Sequence, residues 1–140
     1  MTNASATVRY LLDTNTCIRY LNGRAPQVRT RLEATPREQV VVCSIVKAEM
    51  FAGARRSTDV ERSLQRQQAF FSRFVSLPFD DAAAERYGAL RAHLLTAGTP
   101  IGPNDMLIAA IALASNLILV THNTDEFRRV PELLLEDWEV

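Results

Sequence analysis

Short apolar runs alternate with longer amphipathic stretches along this chain, and that alternation predicts its secondary structure. The apolar runs are rich in valine, isoleucine and leucine and are bounded by turn residues, which favours strands. The predicted strands are residues 8–12, 40–43, 75–77, 117–120 and 133–135.

The stretches between these runs have helical spacing and recognisable start and stop residues. Ser44 is expected to be the N-cap of one helix, Thr58 with Glu61 resembles a capping box at the start of another, and Gly98 ends a third. The predicted helices are 14–21, 26–34, 44–56, 58–74, 80–96 and one opened by Pro103 that includes 106–114, with a single helical turn at 125–128.

Strands and helices therefore alternate from end to end, which predicts an α/β fold with a short, parallel sheet and helices on both faces. With no repeat or linker in the sequence, we expect one domain over residues 1–140, with a loose N-terminus at 1–7. In such sheets ligands bind beyond the carboxyl ends of the strands, so the residues that follow each strand matter most.

Composition adds few constraints on function. Sixteen basic residues balance sixteen acidic ones, so any polyanion must be held locally. No signal peptide is visible, and the longest apolar run, 106–114, is too short to span a bilayer. Cys17 and Cys43 lie in apolar stretches and read as reduced core residues of a cytoplasmic protein, although sequence leaves a disulfide open.

Three acids stand out by position. Asp13 directly follows the first strand, where it also suits the next helix as a cap. Glu49 shares one stripe of its helix with Ile45 and Ala52; a glutamate on an apolar stripe needs a cation or donor, and a salt bridge to an arginine is the simpler alternative. Asp105 opens an almost wholly apolar helix, where the helix dipole alone could explain it.

If the strand ends lie side by side, these carboxylates converge, and further acids follow the fourth strand. Like charges at close range do not all stay ionised unaided. Mg²⁺ or Mn²⁺ is the usual solution, and such a site can activate water and hydrolyse a phosphate ester. Asp125 and Glu126 are the candidates for a fourth acid, with surface charge as their simpler explanation.

Several segments together resemble the PIN-domain toxins of the VapC type, over nearly the whole chain. They are Leu-Leu-Asp-Thr-Asn at 11–15, Ala-Glu-Met-Phe-Ala-Gly-Ala at 48–54, Pro-Ile-Gly-Pro-Asn-Asp-Met-Leu-Ile-Ala-Ala at 100–110, Leu-Val-Thr-His-Asn-Thr-Asp-Glu-Phe at 119–127 and Leu-Glu-Asp-Trp at 135–138. The resemblance implies a three-layer α/β fold and a Mg²⁺- or Mn²⁺-dependent endoribonuclease in which metal-activated water leaves 5′-phosphate and 3′-hydroxyl ends.

By motif, Asp13, Glu49 and Asp105 match the core acids of that family. Thr121 matches its small hydroxyl residue and Asn15 a supporting polar position. Many members carry an aspartate where this chain has Asn123, so the fourth acid is Asp125 or Glu126, or is absent. The residues expected to contact substrate are Arg19, Arg55, Arg56 and His122, whereas His93 is expected on the surface.

The resemblance also implies partners. These are a structured RNA substrate, with the anticodon region of tRNA suspected, and a VapB-like antitoxin that brings DNA binding only indirectly. A homodimer is implied too, and Phe70, which departs from the main stripe of its helix, belongs either to such an interface or to the core.

Two other functions stay open. A haloacid-dehalogenase-type phosphatase would use Asp13 as nucleophile, but it would need a second aspartate where Asn15 stands and a catalytic lysine, and the only lysine is Lys47. A non-catalytic RNA- or protein-binding PIN-like module would use the acids only as caps and salt bridges.

Overall fold

The computed structural model of the protein describes residues 7–140. The expected loose N-terminus at 1–7 therefore lies outside the described residues, apart from Thr7. The strands are β1 Tyr10–Leu12, β2 Val40–Cys43, β3 Val75–Leu77, β4 Ile118–Val120 and β5 Leu134–Glu136. The helices are α1 Thr14–Asn22, α2 Pro26–Ala34, α3 Ser44–Arg55, α4 Val60–Phe71, α5 Asp81–Ala97, α6 Pro103–Ala114 and α7 Thr124–Phe127, with a 3₁₀ turn at Arg37–Gln39.

The five strands form one sheet in the order β3-β2-β1-β4-β5, and every pairing is parallel. All residues of β1 and β2 are buried, as expected where helices cover both faces of a parallel sheet. The predicted α/β fold is confirmed. Because β1 is central between β2 and β4, the residues that follow these three strands meet at one edge.

Helix α6 is the most deeply buried helix, as its sequence predicts. Six of its residues are buried, and its first turn carries Asp105. Helix α5 packs against it and ends at Gly98, whose φ of 71° is the left-handed conformation that closes a helix. The first turn of α6 lies at the carboxyl edge of β1, because Asp105 is within electrostatic range of Asp13, and α6 ends at Ala114, shortly before β4 begins at Ile118.

Phe70 belongs to the core. It is 3% exposed and packs against Tyr20, Phe71 and Phe74, with ring centroids 5.2 to 5.6 Å apart. The interpretation of Phe70 as an interface residue is therefore wrong, because α4 buries its C-terminal aromatic residues against α1.

Two predicted helix caps are wrong. Ser44 is already the first residue of α3, and its hydroxyl donates to the Leu77 carbonyl at 3.4 Å instead of capping the helix. Helix α4 starts at Val60 rather than at Thr58, because the carboxylate of Asp59 accepts the Arg62 N–H at 3.1 Å.

The remaining differences in element bounds are small, the largest being that β1 begins at Tyr10 and α4 ends at Phe71. Cys17 and Cys43 are buried free thiols, so the expectation of reduced core cysteines is confirmed. Over residues 7–140, none of the helices combines the length and apolar character that crossing a membrane requires.

Candidate active site

Asp13 lies at the carboxyl end of β1 and is both a helix cap and a buried acid. Its Oδ1 accepts the backbone N–H of Thr16 at 2.8 Å, which caps α1. Only 4% of the residue is exposed, and burial raises the pKa of its carboxyl despite hydrogen bonds from Thr121 and Thr16. The two roles considered for Asp13 therefore coexist.

Asp105 shows most directly that the acids converge. Burial raises the pKa of its carboxyl to about 6, and the charges of Glu126, Glu49 and Asp13 add to the increase. Four carboxylates that are far apart in sequence thus lie within electrostatic range of one another. No cation of the described residues is among the causes that act on Asp105.

The start of α6 is tied to its neighbours by two hydrogen bonds that include site acids. The Asn104 amide donates to Glu49 Oε2 at 3.3 Å, and the Gly102 N–H donates to Glu126 Oε1 at 3.0 Å. A Cβ atom at Gly102 would lie 3.4 Å from Asp105 Oδ2, an ordinary van der Waals distance, so this backbone lies directly beside the carboxylate.

Glu49 reaches the site for a different reason from the one predicted. The buried face of α3 is Val46, Met50 and Ala54, whereas Glu49 is half-buried on another face. The stripe that Glu49 shares with Ile45 and Ala52 is therefore not the buried face of α3.

The contacts of Glu49 are neutral donors. Thr14 Oγ1 donates to its Oε1 at 2.6 Å, in addition to the bond from Asn104. The alternative of a salt bridge to an arginine is not observed for Glu49 in residues 7–140.

Glu126, not Asp125, is the acid that joins the cluster after β4. Its Oε2 accepts the Asn123 amide at 2.8 Å, and the bonds from Asn123 and Gly102 lower the pKa of its carboxyl. The Asp125 side chain is 94% exposed and lies 3.5 Å from Arg128, as surface charge. Asn123 therefore holds Glu126, the acid three residues after it.

The supporting polar residues divide between the site and its rim. Thr121 is fully buried and accepts the Asn123 N–H at 3.0 Å, in addition to its bond with Asp13. Asn15 is exposed on the rim. Thr14, which was not among the site residues selected from the sequence, contacts Glu49 instead.

The predicted cations lie around the acids rather than among them. Arg19 and His122 line one cleft beside the cluster, and Arg56 lines another cleft together with Glu49 and Asn104. Arg55 is exposed and has no polar contact with the described site residues.

Two residues outside the site complete the predicted set. His93 is exposed on α5, as expected. The ammonium of Lys47 lies 5.5 Å from the ring centroid of Phe71, a cation–π contact that occupies the chain's only lysine.

The donor set fits a hard divalent cation. Asp13, Glu49, Asp105 and Glu126 offer only oxygen, and a cation would relieve the repulsion and burial that raise the pKa of Asp13 and Asp105. Burial, with the charge of Asp13, raises the pKa of the nearby Cys17 thiol well above its usual range. Across residues 7–140, no three acid, histidine or cysteine side chains already form a closed ligand set.

A family model and similar curated proteins agree on the family of this chain. Residues 10–133 match the PIN domain model. The chain is 37% identical over 131 residues to the tRNA(fMet)-specific endonuclease VapC of Salmonella typhimurium, covering 94% of the chain and 98% of that relative. It is also 37% identical over 131 residues to Ribonuclease VapC2 of Rickettsia felis, with 93% and 98% coverage.

Solved structures show the same fold. The chain is similar to a chain of DNA-bound VapBC from Salmonella typhimurium, with a TM-score of 0.90, 37% identity and coverage of 94% and 99% of the two chains. A chain of VapBC-1 from nontypeable Haemophilus influenzae gives a TM-score of 0.86 at 33% identity, with 94% and 98% coverage.

Proposed function

Since the chain belongs to the PIN-domain family and to its VapC ribonucleases, we propose that it is a Mg²⁺- or Mn²⁺-dependent endoribonuclease and the toxin of a type II toxin–antitoxin pair. The observation that carries the proposal is the convergence of Asp13, Glu49, Asp105 and Glu126 at the carboxyl edge of β1 and β4. Carboxylates gathered without a matching cation suit a metal site better than a protein-stabilising network.

In this proposal Asp13, Glu49 and Asp105 hold the ion and Glu126 completes the set. A bound divalent ion supplies the charge that lowers the pKa of an attacking water and offsets negative charge on the phosphate. Asp13 is held by the helix that it caps, so its carboxylate is oriented before metal or RNA arrives. The reaction needs no 2′-hydroxyl attack, and the products carry 5′-phosphate and 3′-hydroxyl ends.

Neutral neighbours orient the other carboxylates. Thr14 and Asn104 fix Glu49, while Gly102 and Asn123 fix Glu126. These donors set the direction of each carboxylate without cancelling its charge, which leaves the charge for a cation.

The proposed substrate is a structured RNA, and tRNA is the first to try. Its support is the identity to a VapC named for tRNA(fMet) and the Pro-Ile-Gly-Pro motif at 100–103. This substrate places the protein in the cytoplasm, in agreement with its two buried free thiols.

A VapB-like antitoxin is the proposed partner, because the structural relatives are VapBC complexes, two of them bound to DNA. We propose that this chain forms a homodimer, acts as one domain over residues 1–140, and contacts DNA only through the antitoxin.

The experiment that tests the function is RNA cleavage by antitoxin-free protein. Total tRNA and rRNA are incubated with Mg²⁺, with Mn²⁺ and with EDTA, and the product ends are sequenced. We expect a discrete cut that needs the divalent ion and leaves 5′-phosphate.

Two results would contradict the proposal. Cleavage that persists in EDTA would contradict the metal dependence. Folded, metal-loaded protein that binds RNA without cutting it would favour the non-catalytic binding module. The phosphatase alternative loses its support, because Lys47 packs against Phe71 and the chain belongs to another family.

A further inference from the structure

The C-terminal segment Asp137–Glu139 lies beside the cleft next to the acid cluster, and Glu139 is part of the cleft lining. Its middle residue, Trp138, is an anchor: it is 3% exposed, and its ring packs edge-on against Tyr10 at a centroid distance of 5.3 Å. The indole N–H donates to Glu136 Oε1 at 3.0 Å. The two acids that flank this tryptophan are thereby held in place.

Each flanking acid pairs with a basic side chain, Arg19 or His122, of the cleft. Glu139 Oε2 lies 2.9 Å from Arg19 Nε, and Asp137 Oδ2 lies 2.9 Å from His122 Nδ1. The acid is the more buried partner both times: the Glu139 side chain is 9% exposed against 38% for Arg19, and Asp137 is 16% exposed against 59% for His122. Both carboxylates are therefore less exposed to solvent than their basic partners, Arg19 and His122.

The Arg19–Glu139 pair leaves the arginine able to bind a further anion. The facing atoms Nε and Oε2 are buried, and their ion pair is not aligned as a hydrogen bond. The terminal nitrogens of Arg19 have no protein partner in residues 7–140. A guanidinium held at Nε presents these two nitrogens as a fork, which matches the geometry of a phosphate.

The cleft is continuous with the proposed catalytic acids. Asn15 and Asn123, which line it with Arg19, neighbour Asp13 and Glu126 respectively. Glu139 is close enough that its charge helps to raise the pKa of Asp13. A polyanion whose cleaved phosphate lies at four acids needs cations for its next phosphate. Arg19 lines this cleft and is held by its ion pair with Glu139.

We propose that Arg19 binds a backbone phosphate of the RNA next to the cleaved one, and that Glu139, fixed by the Trp138 anchor, is its positioning residue. His122 with Asp137 forms the second, weaker contact of this cleft. The inference rests on the proposed ribonuclease function, but its test measures binding rather than cleavage.

The test uses Asp105→Asn protein, so that bulk tRNA is bound without being cut, and fluorescence anisotropy over a range of salt concentrations. Arg19→Ala is expected to weaken tRNA binding about tenfold and to reduce the salt dependence by about one phosphate contact. Arg62→Ala, which removes an exposed arginine of α4, is the matched control and should stay within about twofold.

The direction in which Glu139→Gln changes tRNA binding is decisive. Removing a negative charge beside a polyanion should by itself tighten binding, as Glu85→Gln on the exposed face of α5 would do slightly. We expect Glu139→Gln to weaken binding about threefold or more instead, because Arg19 is no longer held. In the Arg19→Ala background the same change should cause no weakening.

Tighter binding by Glu139→Gln, or an Arg19→Ala variant that binds like the parent, would overturn the proposal. If Glu139→Gln fails to fold, Arg19→Lys replaces it: lysine keeps the charge but lacks the fork, so equal binding would also overturn it. Wild-type cleavage is assayed separately. Loss of cleavage with unchanged Arg19 effects would therefore contradict only the ribonuclease function.

Discussion

The interior of the sheet and its carboxyl edge experience the same burial with opposite consequences. In β1, Leu11 and Leu12 are completely buried, and burial of such apolar side chains stabilises the fold. One residue later, Asp13 is 4% exposed, and the same burial raises the pKa of its carboxyl. Over residues 7–140, the buried polar residues are Asp13, Thr16 and Thr121, and all three lie at this edge. The strands contribute stability through apolar burial, whereas the polar residues that follow them are buried at some cost in stability, which the proposed metal-dependent function would explain.

The largest expected effect is on activity, and it comes from a substitution at the carboxyl edge of the sheet rather than in its interior. Asp13→Asn should reduce RNA cleavage by roughly three orders of magnitude or more, since it removes a metal-holding charge. The fold should persist, because asparagine can still cap α1. A neutral side chain also avoids the cost of burying a charge, which is what raises the pKa of Asp13. Cleavage assays and thermal melts in EDTA measure both properties. A much lower Tm without metal would mean that the carboxylate is structural.

The adjacent residue should give the reverse result. Leu12→Ala leaves a cavity in β1 and should lower the free energy of unfolding by about 2–5 kcal/mol. Cleavage per folded molecule should change little. Urea unfolding and a titration of active protein test this pair, and a Leu12→Ala variant that is stable but inactive would break the contrast.

A smaller effect should distinguish the two acids that follow β4. Glu126→Gln should weaken Mn²⁺ binding and cleavage about 10- to 100-fold, while Asp125→Asn should stay within about twofold. The reason is that Glu126 contacts Gly102 and Asn123 at the site, whereas Asp125 is 94% exposed. Equal effects of the two substitutions would contradict the assignment of Glu126 to the metal site.

The smallest expected effect is a pH dependence of stability in EDTA. The pKa of Asp105 is about 6 in the folded protein and about 4 when unfolded, so between these values the folded state holds more protons. This group therefore favours folding near pH 4, and that contribution is lost as the pH rises through about 6. The fall in Tm from pH 5 to pH 7 should be smaller in Asp105→Asn than in the wild type. An identical fall in both proteins would show that Asp105 lies apart from the other acids.

Most of the fold could be predicted because strands and buried helices carry strong local patterns. The run Val40–Cys43 and the apolar helix Pro103–Ala114 are both where the sequence places them. The convergence of Asp13, Glu49 and Asp105 followed from the rule that parallel strands end at one edge.

The predictions that failed concern details that depend on neighbouring residues, such as which side chain caps a helix. Ser44 and Thr58 both had cap chemistry, but Cys43 and Asp59 took the cap positions. The apolar stripe that Glu49 shares with Ile45 and Ala52 was visible in the sequence, but the buried face of α3 is Val46, Met50 and Ala54. Helical spacing identifies a stripe but not the direction in which the helix packs.

Long-range pairs could not be predicted from spacing at all. Glu139 and Arg19 meet across 120 positions only because Trp138 anchors the C-terminus against Tyr10. The hydrogen bond from Thr14 to Glu49 likewise depends on how α1 and α3 pack.

The central claim is that the carboxylates of Asp13, Glu49, Asp105 and Glu126 form one divalent-ion site, and calorimetric titration of Mn²⁺ into the free protein at pH 7 tests it most directly. The account predicts saturable binding by the wild type that Asp13→Asn, Glu49→Gln and Asp105→Asn each weaken, and that Asp125→Asn leaves unchanged. Wild-type protein that binds no Mn²⁺, or that binds it equally well after all three core substitutions, would contradict the account.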